Sequence, residues 1–188
     1  ANCRFYIGSQ SGILDTACLF QKPIVLPNMS AWSFSFPPGK SDIGIPKHCY
    51  SKSKKRFLSV REILESDDNT QNITRGIPLD DDFIKVENTP EEIKDLVLEF
   101  MSSAKKPFYQ YSEKQELSNN LRIKQAVSSI DSKKLINKHW NRQELVRTQY
   151  RMAARLYGVN GAFGKKFLED NWEANIHNSN LERFKIEK

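Results

Sequence analysis

"YIGSQSGILDTACLFQKPIVLPN", residues 6–28, runs in the order strand, polar turn, helix, strand, and that order decides the fold. Phe5, Tyr6 and Ile7 form a short β-prone run, and Gly8 permits a sharp turn. From Ser11 onward the apolar positions Ile13, Leu14, Ala17 and Cys18 recur with helical spacing, which predicts a short helix with Cys18 as a small core residue. Pro23 stops that helix. Ile24, Val25 and Leu26 then form the continuous apolar run expected of a strand buried on both faces of a parallel sheet. The unit is β-α-β.

Its turn has a chemistry of its own. The head of a helix leaves backbone N–H groups unpartnered and gathers partial positive charge, so an anion is favoured there. Ser9 and Ser11 add hydroxyl donors, while Gly8 and Gly12 allow a phosphate close to the backbone. The same residues also read as a plain helix start, with Ser11 as the cap and Gly8 as the bend. The turn is neither a Walker loop, which ends in Gly-Lys-Ser/Thr, nor GxGxxG. Gln10 at its centre excludes the GxSxG nucleophile elbow.

The chain has 188 residues, enough for one domain with a substantial core or for one plus an appendage. With 38% hydrophobic and 28% charged residues it has the composition of a soluble globular protein. No apolar run approaches bilayer-spanning length and no signal-peptide pattern is present. The opening "ANCRFYIG", directly ahead of a strand, leads us to expect the carboxy-terminal portion of a larger protein. Lys and Arg number 29 against 23 Asp and Glu, and the net charge of +6 favours anionic partners such as nucleotide phosphates or lipid headgroups. Nucleic acid is not expected, because the basic residues do not cluster beside the aromatic loop at 28–42. Cys3, Cys18 and Cys49 are odd in number and irregularly spaced, and of the histidines only His48 adjoins another ligand type, Cys49. Neither a disulfide framework nor a metal is expected.

Beyond the first unit, residues 28–42 form a Ser/Pro/Gly loop in which Trp32, Phe34 and Phe36 alternate with serines, as a half-buried strand or as aromatics facing a sugar or base. Lys52, Lys54, Lys55 and Arg56 read as a solvated turn, with phosphate contact as the alternative, ahead of a helix at 59–65. Phe83–Val86 reads as a strand. Thr89 as N-cap, Pro90 as first helical residue and Glu92 as reciprocal partner form a capping box, followed by the stripe Ile93, Leu96, Val97, Phe100 and Met101. This second strand-then-helix step predicts an α/β layer fold in which the strands at 4–7, 24–27 and 83–86 lie parallel in one sheet. Past Pro107 the pattern is helical, at 112–130, at 142–157 and in "KKFLEDNWE", with no strand expected. Arg147, Arg151 and Arg155 form a basic ridge that reads as a solvated face.

"CRFYIGSQSGILDTACLFQKPIVLPN", "DIGIPKHCYSKSKKRFLSVREIL", "VENTPEEIKDLVLEF" and "GAFGKKFLEDN" together resemble the ordered landmarks of a family of bacterial glycosyltransferases of surface-polysaccharide biosynthesis. The first segment is similar to the turn in the carboxy-terminal, Rossmann-like half of two-domain, GT-B-like glycosyltransferases. That resemblance implies residues 1–106 as a Rossmann-like nucleotide-sugar-binding portion and 107–188 as a helical carboxy-terminal extension. It implies a cytoplasmic enzyme, associated peripherally with the inner face of the membrane. The enzyme would move a sugar from a nucleotide-sugar donor to a saccharide or lipid-linked acceptor, without a metal or other cofactor and with a further amino-terminal domain as partner. The donor phosphates would be held by Gly8, Ser9, Gln10, Ser11 and Gly12 with Lys47 as a nearby cation, and Asn28 and Trp32 would contact donor or acceptor. No general base is assigned. Gln10 departs from the small or hydroxylated residue usual in such turns. The alternative is a binding module that holds a nucleotide or sugar phosphate without chemistry.

Overall fold

A computed structural model describes residues 3–30, 37, 39, 41–65, 82–103, 110–131 and 161–173. The chain opens with β1 (Tyr6–Ile7), α1 (Gly12–Leu19) and β2 (Ile24–Met29). β1 and β2 pair in parallel, Tyr6 with Ile24 and Ile7 with Val25, as the β-α-β reading requires. Ile24, Val25 and Leu26 are at most 1% exposed, because a central parallel strand is covered on both faces. From α1 only Leu14 and Ala17 are buried; Ile13 and Cys18 face outward. The core position expected for Cys18 is therefore corrected: an eight-residue helix offers the sheet one narrow stripe, and Leu14 and Ala17 fill it. Ile7, Leu19 and Phe20 are also exposed.

β3 (Ile43–Pro46) pairs parallel with β2, and β4 (His48–Ser51) follows after the single residue Lys47. Residues 43–51 are thus one extended segment that leaves one sheet and enters another. β4 pairs antiparallel with β5 (Arg56–Phe57) and with β6 (Phe83–Val86), in the order β5-β4-β6. The expected place of Phe83–Val86 beside the first two strands is therefore corrected: it lies in the second, antiparallel sheet. Its first three residues are only half-buried, as suits a strand with one solvated face.

Three helices pack around these sheets: α2 (Val60–Glu65), α3 (Pro90–Ser103) and α4 (Glu113–Asp131). Each begins with a reciprocal cap of the same form. Ser59 and Glu62, Thr89 and Glu92, and Ser112 and Gln115 each exchange bonds between side chain and backbone N–H. Leu96 and Phe100 of α3 enter the core, Ile93 and Val97 flank it, and Met101 remains exposed.

β7 (Ala162–Phe163) and α5 (Lys165–Asn171) complete the described chain. β7 pairs parallel with β3, so the main sheet has the order β1-β2-β3-β7, and the absence of a strand past Pro107 is corrected. Two residues between Gly161 and Gly164 carry no periodicity; the pairing with β3 makes the strand. Phe163, Phe167, Leu168 and Trp172 join the same core as β2 and β3. The helix expected at 142–157, its arginine ridge, and Trp32, Phe34 and Phe36 lie outside the described residues.

Candidate functional site

All four strands of the main sheet point one way, so the residues that follow them gather at one edge. β1 is followed by the turn Gly8 to Ser11, β2 ends in Asn28 and Met29, and β3 leads into Lys47. In parallel α/β sheets this carboxyl edge is where ligands bind. The turn and the exit of β2 are tied together, since the Gln10 side-chain oxygen accepts the Ser30 N–H at 2.7 Å. Gln10 thereby positions the turn, which a small or hydroxylated residue at that place would not do.

Ser11 is the N-cap of α1, with extended backbone (φ −132°, ψ 171°), yet its side chain makes no capping bond. The contrast with α2, α3 and α4 is chemical: there a hydroxyl and a carboxylate or carboxamide satisfy the first N–H groups, whereas the Ser11 hydroxyl does not. Gly12 has nothing within 4 Å of where a Cβ would sit, so its open side faces free space. Gly8 differs, because a Cβ there would collide with the Tyr6 hydroxyl, which itself donates to the Ser9 carbonyl at 3.3 Å.

Asn28 sits at positive φ, 54°, and its carboxamide oxygen accepts the Asn88 N–H at 2.6 Å. In return the Asn88 side chain accepts the Asn28 N–H at 2.9 Å and donates to the Pro46 carbonyl at 2.9 Å. Lys47 forms an ion pair with Glu87 at 2.8 Å, and the Asn28 Nδ2 donates to the other Glu87 oxygen at 3.2 Å. Lys85 reaches over from β6, its ammonium donating to the Ser30 carbonyl at 2.7 Å. Burial lowers the Lys85 pKa, with Cys49 opposing the shift and the charge of Lys47 adding to it. Of the residues expected at the site, Gly8 to Gly12, Asn28 and Lys47 share this edge, and Trp32 lies outside the described residues.

Lys85, Glu87 and Asn88 belong to the same edge and were not expected there. Lys85 falls in the run that reads as a strand, Glu87 and Asn88 in the approach to a helix, and only the pairing of β6 with β4 carries them across to the ends of β2 and β3. His48 and Cys49, successive residues of β4, fall on opposite faces of the strand. The His48 Nε2 lies 2.9 and 3.0 Å from the two oxygens of Glu92, with its ring between Phe57 and Phe167. Among the described residues no three His, Cys, Asp or Glu gather in a metal-holding group. The turn at 52–55 is exposed, while Arg56 is engaged by both Glu62 oxygens, at 2.8 and 2.5 Å.

A cleft of about 320 Å³ lies at the opposite end of the main sheet, lined by Cys18, Lys22, Ile24, Ser41 and Asp42 among others. Asp42 is structural there. Its two oxygens accept the N–H groups of Ile24 and Gly39 at 2.9 and 2.7 Å, and burial nonetheless raises its pKa against those donors. The carboxyl edge, with its convergent donors and cations, is the stronger candidate. Among the described residues no helix is long and apolar enough to cross a membrane. No family model, curated protein or solved structure matches the chain.

Proposed function

We propose that this chain supplies the donor-phosphate site of a glycosyltransferase, one that moves a sugar from a nucleotide-sugar to a saccharide or lipid-linked acceptor in surface-polysaccharide biosynthesis. The observation that carries the reading is the head of α1. It opens at the carboxyl edge of a parallel sheet, with an extended Ser11 whose hydroxyl makes no cap and a Gly12 open to solvent. A diphosphate leaving group develops negative charge as the sugar departs. Fixed N–H groups, hydroxyls of Ser9 and Ser11, and the ammonium of Lys47 would stabilise it by electrostatic preorganisation. The β-α-β opening supports placing the sheet in the Rossmann-like half of a GT-B-like enzyme. The antiparallel sheet that β3 runs into is an addition to that plan.

The test is calorimetric titration of nucleoside diphosphates and nucleotide-sugars into the wild-type protein and the variants Ser11→Ala and Gly12→Val. Ser11→Ala is expected to weaken binding by about 1–2 kcal/mol, the scale of a hydrogen bond to a charged group. Gly12→Val is expected to do more harm. A Cβ at Gly12 has nothing within 4 Å, and titrating the folded fraction separates loss of binding from loss of fold. Unchanged affinity in both folded variants would reduce the turn to a helix start.

A further inference from the structure

We propose that the Glu87 carboxylate sits in the seat of an external phosphate group, which displaces it on binding. The inference rests on reading the carboxyl edge as the donor-phosphate site and adds a second contact region to it, beyond the head of α1.

Glu87 presents its two oxygens as an anionic ligand would. Oε1 takes the Lys47 ammonium at 2.8 Å, and Oε2 takes the Asn28 carboxamide N–H at 3.2 Å. These donors come from the ends of two adjacent parallel strands, whose backbones are the fixed part of the arrangement. Asn28 is locked by its exchange of bonds with Asn88, and the Lys47 backbone N–H is bound to the Met29 carbonyl at 2.9 Å. The Lys47 side chain is 24% exposed and that of Glu87 is 70% exposed, so the carboxylate is the partner held least. An exposed ion pair of this kind contributes little, and giving it up opposes binding only weakly. Lys85 belongs to the same edge, its ammonium held by the Ser30 carbonyl at 2.7 Å. A phosphate brings both more charge and more acceptor oxygens than the carboxylate it replaces.

Inorganic pyrophosphate is the probe, titrated calorimetrically into the wild-type chain, Glu87→Gln and Lys47→Met. Glu87→Gln removes the internal competitor and is expected to tighten binding about fivefold, the factor matching the competition an exposed ion pair can offer. Lys47→Met is expected to weaken binding about tenfold, as for loss of a charge-assisted contact. In the wild-type protein the Asn28 side-chain amide signals should move in ¹H–¹⁵N spectra as pyrophosphate is added, a readout independent of any variant. Unchanged or weaker pyrophosphate binding in Glu87→Gln, or an Asn28 amide that does not respond, overturns the proposal. If Glu87→Gln binds pyrophosphate tighter while nucleotides ignore Ser11 and Gly12, the anion seat stands and the donor reading falls. If nucleotides depend on the turn while pyrophosphate ignores Glu87, the donor reading stands and this inference falls.

Discussion

The carboxamide of Asn88, 6% exposed, accepts from Asn28 and donates to Pro46, so one side chain holds the exits of β2 and β3 at the candidate site. Truncation to Asn88→Ala removes both bonds and leaves a backbone donor and a backbone acceptor in a confined place. A loss of about 2–4 kcal/mol is expected from two such groups, measured as the shift in urea unfolding. Asn88→Asp keeps the acceptor for Asn28 but cannot donate to Pro46, and should fall between wild type and alanine if its charge is tolerated. An unchanged unfolding midpoint in Asn88→Ala would show that the two strand ends hold themselves. Residues of this sort are poorly legible in sequence. Asn88 stands next to an N-cap, where an asparagine has many local uses, and its partners lie 42 and 60 positions away. The turn from Gly8 into the helix at Gly12 could be read because its signals are local.

At the scale of elements, the helix starts were the most legible features and they carry the pH dependence. Thr89, Pro90 and Glu92 form the expected box, and the helix begins at Pro90. What the pattern could not reveal is that Glu92 also bonds His48 from another sheet. Burial raises the Glu92 pKa, but the hydrogen bond and charge of His48 and the bonds from Thr89 outweigh it, and the net shift is downward. Glu62 in the α2 box falls from 4.5 to about 2, chiefly through its hydrogen bond to Arg56 and against a burial effect of opposite sign. A carboxyl with a lower pKa folded than unfolded stabilises the fold above its unfolded value, and that contribution disappears as pH falls through the folded one. The stability contributed by Glu62 should therefore be complete above about pH 5 and fade between the ordinary glutamate pKa and about 2. Comparing urea midpoints of wild type and Glu62→Gln across this range, the gap should be widest near neutrality and close towards the acid end. A gap independent of pH would remove the ion pair as its cause. The strands were less legible than the helices. β3 and β4 are four residues each, broken by Lys47 and followed by a basic turn, so neither a run nor an alternation long enough to read survives.

At the scale of the whole molecule, the four described strands of the main sheet end at β7. Backbone groups of Ala162 and Gly164 face β3, so those of Gly161 and Phe163 face the other way, along the open edge of β7. Helix α4 covers that edge with polar side chains. Gln115 Nε2 donates to the Phe163 carbonyl at 2.8 Å, and Arg122 donates to the Gly161 carbonyl at 3.2 Å with its guanidinium 4.5 Å from the Phe163 ring centre. Burial brings the Arg122 pKa down to about 10, against the opposing influence of Tyr111. A reader looking for an apolar stripe finds Gln115, Ser118 and Arg122 on the buried face of this helix, which is why a helix could be predicted at 112–130 but not its place in the fold. The polar stripe is intelligible only with β7 present, since an unpaired strand edge needs donors and a means of refusing another strand. Gln115 also serves the start of α4, its oxygen accepting the Ser112 N–H at 2.9 Å, and its Nε2 reaches a Glu99 oxygen at 3.1 Å. These roles rank substitutions differently. If the cap alone mattered, Gln115→Glu would be as good as glutamine, because either residue completes a capping box. If guarding the edge matters, Gln115→Glu keeps the cap but removes the donor from Phe163 and brings a second carboxylate against Glu99, so it should destabilise more than Gln115→Met. We expect Gln115→Met to lose about 1–3 kcal/mol and Gln115→Glu to lose more at neutral pH, with the difference shrinking in acid as the carboxylates protonate. Urea unfolding of the two variants at neutral and acid pH decides it, and a Gln115→Glu protein as stable as wild type would mean that α4 does not guard the sheet through this residue.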